Sequence, residues 1–426
     1  MKKKLFIVGL LICSVVLSSI PLFTANAEET RLTIGIWATN PETREYLQKE
    51  LFPNFEKQNP GVKIEIQWLD VNKINEQLLA GFAAGTAPDL FQGGISSFPA
   101  LYGSQGKIMN LDKFTNSWKD KRNFFDSAWR TGIYKGHVYG IPLSFDVRPL
   151  WYRKDFFKEA GLNPNSPPQT WDQLLRMATK LTKKEGNKVV RSGFWVPTTS
   201  FDSIQSGWFH FIVQNGAPGL LNEDLKSVAF DSPEAIEGIK FYYDLLWKYN
   251  VDVLGGVPTA IPTVPVVAGT SAMAYAGSGQ TILDMKKYMS SKYEDLGVTL
   301  PLKKKKRAAF LGGTILMMNS QTKYPDVAWK LMAYWAKPEN IIKYALADNQ
   351  LPPVKNVGNN PTFNDPRYKV ALDTVRYGVP WPPSAHHGEY RMKIVAMSEA
   401  IMQNIKPLEQ AIKETASEIN AVLDGN

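Results

Sequence analysis

Two runs of alternating apolar residues, Leu32-x-Ile34-x-Ile36 and Val62-x-Ile64-x-Ile66-x-Trp68, flank a stretch with Tyr46, Leu47, Leu51 and Phe55 at helical spacing. A strand, a helix and a second strand in so short a segment allow one arrangement, a parallel pair joined by a right-handed crossover. Pro53 has no N–H to give the helix, so the helix should kink or restart there. Ile74, Leu78, Leu79 and Phe82 mark a second helix that Gly85 ends, and Ala87-Pro88-Asp89-Leu90-Phe91 leads into the next strand. The fold class is α/β on this N-terminal stretch alone.

The same punctuation continues. Thr170-x-x-Gln173 is a capping box that opens a helix running through about Lys183. Ser232 and Pro233 supply an N-cap and an N1 proline, followed by an apolar face of Ile236, Ile239, Tyr243 and Leu246. Val327, Leu331 and Trp335 line another helix, and Leu408, Ile412, Ile419 and Leu423 a C-terminal one. A chain of 426 residues is long enough for two or three packed units. Without a repeat or a low-complexity linker, these should be two lobes in close contact.

Composition removes several function classes. A single Cys excludes a disulfide scaffold and a Cys-rich metal site, and four His leave little for a His-built one. There is no G-x-S-x-G elbow, G-x-G-x-x-G turn, P-loop or H-E-x-x-H. His386-His387-Gly388-Glu389 offers too few ligands for a metal and reads as a loop lining. Lys303-Lys304-Lys305-Lys306-Arg307 reads as a solvated loop, with modest steering of acidic solutes as the other option.

The N-terminus reads as an address. Lys2, Lys3 and Lys4 precede an apolar run from Leu5 to Ile20, and Ala25-Asn26-Ala27 is a small-residue cleavage site, so residues 1–27 form a signal peptide cut before Glu28. Cys13 follows Leu10-Leu11-Ile12 within the apolar run, which does not suit lipidation. The net charge of +9 falls by the three leader lysines to +6 in the remaining chain.

Later motifs join these. Phe55-Glu56-Lys57-Gln58-Asn59-Pro60-Gly61-Val62, Ala83-Ala84-Gly85-Thr86-Ala87-Pro88-Asp89-Leu90, Tyr139-Gly140-Ile141-Pro142 and Leu150-Trp151-Tyr152-Arg153-Lys154-Asp155-Phe156-Phe157 follow one another in order. Glu159-Ala160-Gly161-Leu162, Thr170-Trp171-Asp172-Gln173-Leu174, Ala272-Met273, Gly312-Gly313 and Ala328-Trp329 come after them. Over nearly all of the exported part, this series resembles the family-1 extracellular solute-binding proteins of ABC importers, the maltose-binding-protein-like carbohydrate type. The resemblance implies a type II two-lobed clamp, each lobe a sheet flanked by helices. Residues 28–145 and 312–350 would form lobe 1, and 146–311 and 351–426 lobe 2. The three-segment hinge would lie near Ser144–Asp146, Phe310–Gly313 and Leu351–Val354.

Ligands of open α/β sheets sit beyond the carboxyl ends of the strands. This places Trp37, Gln92 to Ser96 (with Gly93 and Gly94 allowing close backbone approach), Asp146 and Gly277 to Gln280 near a cleft. Trp37 serves either core packing or a sugar face. Asp146 falls where the family carries an acidic ligand contact, and Arg148 either joins it on the ligand or pairs with it as a hinge ion pair. Trp208 matches an aromatic of the family's second lobe, with Ser203 and Gln205 as nearby polar partners. Gly277 and Ser278 stand in a loop where some relatives place an aromatic that is missing here. Gly313 belongs to a crossing, Trp381 to a proline-rich loop that faces the cleft or merely connects, and His386 and Glu389 stand close to that loop. Asp89 reads as structural.

The expected function is capture of a carbohydrate, an oligosaccharide above all, by lobe closure and its delivery to a membrane permease. No cofactor, nucleic acid or catalysis enters, and the protein acts as an exported monomer. The same fold holding a glycerol phosphate ester or a polyamine is the alternative, and a secreted carbohydrate-active enzyme a further one.

Overall fold

A computed structural model describes residues 29–37, 40–70, 73–358 and 360–424. The leader of residues 1–27, with Cys13 and the cleavage site before Glu28, lies outside the described residues. The first strands form as their alternation requires. β1 (Thr30–Ile36) pairs in parallel with β2 (Val62–Trp68) from Thr30 opposite Val62 to Ile36 opposite Trp68, and β3 (Leu90–Gly94) joins the other edge of β1 in parallel. The crossover helix is Pro41–Tyr46 and Phe52–Gln58 with a π turn, Leu47–Leu51, between them. There the Phe52 N–H reaches five residues back to the Leu47 carbonyl, just before Pro53, which has no N–H. The helix Ile74–Ala84 buries Ile74, Leu78 and Phe82 and ends on Gly85 in the left-handed region (φ 71°). Leu79, expected on that face, is 43% exposed.

Asp89 closes the start of this sheet. Its Oδ2 accepts the backbone N–H and the hydroxyl of Thr33, each at 2.8 Å, and its Oδ1 accepts the Thr322 hydroxyl at 2.6 Å.

The centre of the fold is a long strand from the far end of the sequence. β4 (Gly140–Val147) is followed by β5 (Leu150–Arg153), β6 (Met273–Tyr275), β7 (Leu296–Thr299), β8 (Ala309–Met318) and β9 (Gly378–Pro380). β8 pairs antiparallel with β3 through Thr314 to Met318, antiparallel with β4 through Leu311 to Met317, and in parallel with β9 through Ala309 to Leu311. Among the described residues this gives a six-stranded sheet ordered β9-β8-β3-β1-β2, with β4 also on β8. β5 lies between β6 and β7 in a separate antiparallel sheet.

Near Asp146 three segments run together. Gly312 and Gly313 oppose Asp146 and Phe145, and Phe145 exchanges backbone hydrogen bonds with Leu351 at 2.7 and 2.9 Å. Hydrophobic cores flank this junction. One gathers Leu32, Ile34, Phe52, Phe55, Phe82 and Phe91, the other Trp171, Phe209, Phe211, Tyr242 and Tyr390. The first also takes in Val266, Ile282, Met285 and Val375. Burial therefore does not by itself mark off the segments that the sequence reading assigns to each lobe.

The helix Trp171–Leu181 starts as its capping box requires, with the Thr170 hydroxyl taking the Gln173 N–H at 3.3 Å. The Gln173 side chain reaches back to the N–H of Gln169 at 2.7 Å, one residue before the cap. Ser232 caps Pro233–Trp247 through the Ala235 N–H. That helix buries Tyr242 and Leu245 beside Ile239 and Leu246, and leaves Ile236 and Tyr243 half-buried, a small rotation from the expected face. Lys303 to Lys306 form an exposed loop in which Lys304 and Lys305 face Glu237 and Glu234 at 3.6 and 3.3 Å, as a solvated loop should.

Gly313 sits at φ +147°, and a Cβ there would lie 2.2 Å from the Ser144 carbonyl oxygen. Gly313→Ala must displace the β4 backbone or strain its own. Urea unfolding should show a loss of about 2–3 kcal/mol, and unchanged stability would remove the steric account of this close approach.

Candidate functional site

The junction of β4, β8 and Leu351 forms one side of an open cavity of about 860 Å³. The carboxyl ends of β1 and β3 contribute Trp37, Gly94 and Ile95, and the start of Ile74–Ala84 contributes Lys73, Asn75 and Glu76. β8 contributes Phe310 to Thr314, β4 Asp146, and the segment leading to Leu351 Asp348 and Gln350. The remaining wall is Phe201, Gln205, Gln280 and Trp381, with His387, Arg391 and Met392 from the helix His387–Met402.

Aromatic rings form two groups. Trp37 meets Phe98 edge-on at 6.2 Å. Phe201 lies 5.0 Å from Trp381 and meets Phe310 edge-on at 6.3 Å, and the Arg391 guanidinium sits 4.5 Å over the Phe201 ring. β9 explains the position of Trp381, because its pairing with the start of β8 carries the next residue, Trp381, to the cavity wall. The indole is nonetheless only 5% exposed and stacks on Tyr390 at 5.8 Å, so Phe201 is the more open ring.

Asp146 and Arg148 form the ion pair that was one of the two options. Arg148 holds Asp146 Oδ2 at 3.1 and 3.3 Å, donates to the Ser206 hydroxyl and lies 3.5 Å from Asp202, while Asp146 itself lines the cavity. The guanidinium also sits 5.7 Å from the Phe310 ring centre.

The sequence profile of the family described as "Bacterial extracellular solute-binding protein" matches residues 39–342. The chain belongs to this family.

A solute-binding protein of Thermotoga lettingae, solved with α-D-tagatose bound, is 27% identical and has a TM-score of 0.76, covering 92% of this chain and 100% of its own. The sugar-binding protein MalE of Xanthomonas citri superposes with a TM-score of 0.79 over 93% of this chain and 98% of its own at 21% identity, a likeness of fold. The fold is that of the two-lobed type II binding proteins. Among curated relatives, the sn-glycerol-3-phosphate-binding periplasmic protein UgpB of Escherichia coli is 27% identical over 357 residues, 78% of this chain and 76% of its own. Relatives from Brucella abortus named as binding proteins are 26% identical over 223 residues. That match spans about half of each protein, 52% of this chain and 51% of theirs. Among the described residues no helix is long and apolar enough to cross a membrane.

Within this solute-binding protein, Trp37, Asp146, Gln205, Gly313 and Trp381 come together around the cavity. The other expected contacts are placed elsewhere, each for a physical reason. Gln92 is buried and braces the site from behind, donating to the Tyr344 hydroxyl at 2.7 Å and accepting the Trp37 N–H at 3.3 Å. Gly93 makes room for protein, since a Cβ there would lie 2.3 Å from the Phe98 ring and 2.6 Å from Met317. Arg148 serves Asp146. Ser203 is buried on Ser200 and Ser398, and Trp208, 1% exposed, donates its indole N–H to the Ser398 hydroxyl at 2.9 Å. Gly277 and Ser278 do not form a loop but start the helix Ser278–Tyr288. Gly277 packs against Asp146, and Ser278 donates to the Val147 carbonyl at 2.9 Å. Glu389 points outward beside His386, at 3.6 Å, and it is His387 that reaches the cavity.

The sequence reading missed Phe201, Phe310, Asp348, Gln350 and Arg391. Three signals were available. Phe310 and Gly312 share a face of one strand, and Asp348 and Gln350 immediately precede an expected crossing. Arg391 follows His387 by one helical turn. Nothing local distinguished Phe201 from Trp208.

Burial raises two carboxyls. Asp252 is pushed up to about 6 despite bonds from Ser192 and the N–H groups of Val196 and Val253, and Asp348 to about 7 despite the Ser144, Thr43 and Tyr344 hydroxyls. Burial holds the His387 imidazole neutral down to about 3. An unfolded Asp titrates near 3.9, so between pH 4 and 7 Asp348 holds more proton in the folded chain than in the unfolded one and its own contribution to stability falls as pH rises, while the buried neutral His387 works in the opposite direction. Asp348→Asn should therefore match the wild-type melting temperature at pH 4 and exceed it by several degrees at pH 8. The same gap at both pH values would show that Asp348 does not carry the effect. Trp208→Ala should cost about 3–5 kcal/mol in urea unfolding, and a near-neutral change would return Trp208 to the list of open side chains.

Proposed function

We propose that this protein captures a neutral carbohydrate, an oligosaccharide above all, in the cavity and hands it to the permease of an ABC importer. The observation that carries the reading is the lining itself. Rings suited to the C–H faces of a sugar come from both aromatic groups, and Asn40, Gln205, Gln280, Gln350 and Asp146 supply amide and carboxylate partners for hydroxyls. The α-D-tagatose held by the Thermotoga lettingae relative supports the same class. Residues 28–145 with 312–350 and 146–311 with 351–426 would act as the jaws. They would bend where β4, β8 and Leu351 meet and close over the ligand. The protein acts after export, as a monomer, and releases its ligand unchanged.

The relation to UgpB favours a second reading, a glycerol phosphate ester. The lining weighs against it. Lys73 and Arg391 are its cationic side chains, Arg391 covers Phe201, and the Glu76, Asp146 and Asp348 side chains stand in the same cavity. A phosphate dianion calls for a cluster of cations or helix N–H groups, and although the starts of Ile74–Ala84 and His387–Met402 reach the cavity, the three carboxylates oppose an anion there.

A thermal-shift panel of D-tagatose, mannobiose, mannotriose, maltose and sn-glycerol 3-phosphate separates the two readings. A ligand present at a hundredfold excess over its Kd adds about 2.7 kcal/mol to stability. A rise with a sugar, recovered intact by mass spectrometry, is the expected result. A rise with the phosphate ester alone would replace the carbohydrate reading, and a cleaved sugar would make the protein an enzyme. Phe201→Ala should weaken sugar binding roughly fivefold to tenfold with little loss of stability, and unchanged affinity would remove Phe201 from the site.

A further inference from the structure

We propose that Asp348 is a ligand-contacting carboxyl which joins the cavity to the crossing segments, so that capture of a sugar expels its proton. The inference rests on the carbohydrate reading and adds a specificity-determining residue to it.

The geometry comes first. Asp348 lines the cavity and is half-buried there. It follows the helix Pro338–Ala347 and precedes Leu351, whose backbone is bonded to Phe145 of β4. Ser144, on the same strand, places its hydroxyl 3.4 Å from Asp348 Oδ2. Thr43 and Tyr344 bring two more hydroxyls to the carboxyl. Tyr344 in turn is bonded to Gln92, which holds the N–H of Trp37. Two lining residues on different segments, Trp37 and Asp348, are thus connected behind the cavity wall by a buried amide and a buried phenol.

The chemistry follows from what surrounds the carboxyl. Burial and three hydroxyls set its proton affinity, with no cation among the causes, and it titrates close to neutrality. The charged and titratable groups facing the same cavity are Lys73 and Glu76 at the start of Ile74–Ala84, Asp146 with its Arg148 partner on β4, and His387 and Arg391 on His387–Met402. His387 stays neutral down to about 3, and Tyr344 is raised well above the usual phenol range, so neither exchanges a proton near neutrality.

A sugar hydroxyl that donates to Asp348 stabilises the charged form and replaces the water lost on binding. The acid O–H bond breaks, its electron pair stays on the carboxylate, and the proton passes to solvent. Lowering the proton affinity in the bound state makes capture tighter above pH 7 and weaker as pH falls below it. At pH 7 about half a proton leaves per ligand bound.

The test is calorimetric titration of the purified chain with D-tagatose, mannotriose and sn-glycerol 3-phosphate. Runs at pH 6, 7 and 8 would use paired buffers of low and high ionisation enthalpy. The expected result is sugar binding about tenfold tighter at pH 8 than at pH 6, with a buffer-dependent heat showing proton release. Both effects should vanish in Asp348→Asn. The wild-type proton count decides the question even if that variant folds poorly. Sugar binding with no proton release, with proton uptake, or with the same release in Asp348→Asn overturns this proposal alone. Binding of the phosphate ester alone, or of none of the three, overturns the carbohydrate reading and this proposal with it.

Discussion

The antiparallel pairing of β4 with β8 is the contact on which the rest of the molecule depends. It brings Gly312 opposite Asp146, opens room at Gly313 for the Ser144 carbonyl, and presents Phe145 to Leu351. The three segments lie side by side because these backbone groups satisfy one another, as buried backbone must. The cavity is a by-product of that arrangement. Phe310, Asp146, Asp348 and Gln350 line it because they flank the hydrogen-bonded junction.

The site divides its labour between open and buried groups. Phe201, Asp146 and Gln205 meet the cavity, while Gln92, Arg148, Ser278 and Tyr344 hold those in front of them at fixed positions. Arg148 takes one carboxylate oxygen of Asp146, which orients the group and limits the cost of a charge close to an apolar ring. A second tier of this kind matters for a binding protein, since affinity depends on how little must be reordered when the ligand arrives.

What the sequence revealed was what is local. The alternation of β1 and β2, the αL cap at Gly85, the capping box at Thr170 and the proline start at Pro233 depend on residues a few positions apart, and they are where pattern and propensity place them. That the segments around Asp146, Gly313 and Leu351 meet was legible through the family resemblance and through Gly312-Gly313. The site itself was half legible. Whether Trp208 or Phe201 faces the cavity is decided by Ser398, which captures the Trp208 indole from a helix far along the chain. Gly93 carries the same lesson, because one side chain that needs its missing Cβ is Met317, which β8 brings from far along the chain. Periodicity says which residues share a face, but not what arrives to cover it.

The order in which the sheet is assembled has a consequence for how the chain is made. β1, β2 and β3 come from the first quarter of the sequence, yet the strand that covers the free edge of β3 is β8, whose last pairing residues are Leu316 to Met318. Until that stretch is available, β3 presents an unpaired edge and the cores around it lack their central partner. Contacts so distant along the chain close slowly, because a long loop must be gathered before any bond rewards it. A ribosome could therefore deliver three quarters of this protein without its being able to lock shut, and a nascent chain in that condition can still be threaded through a narrow channel.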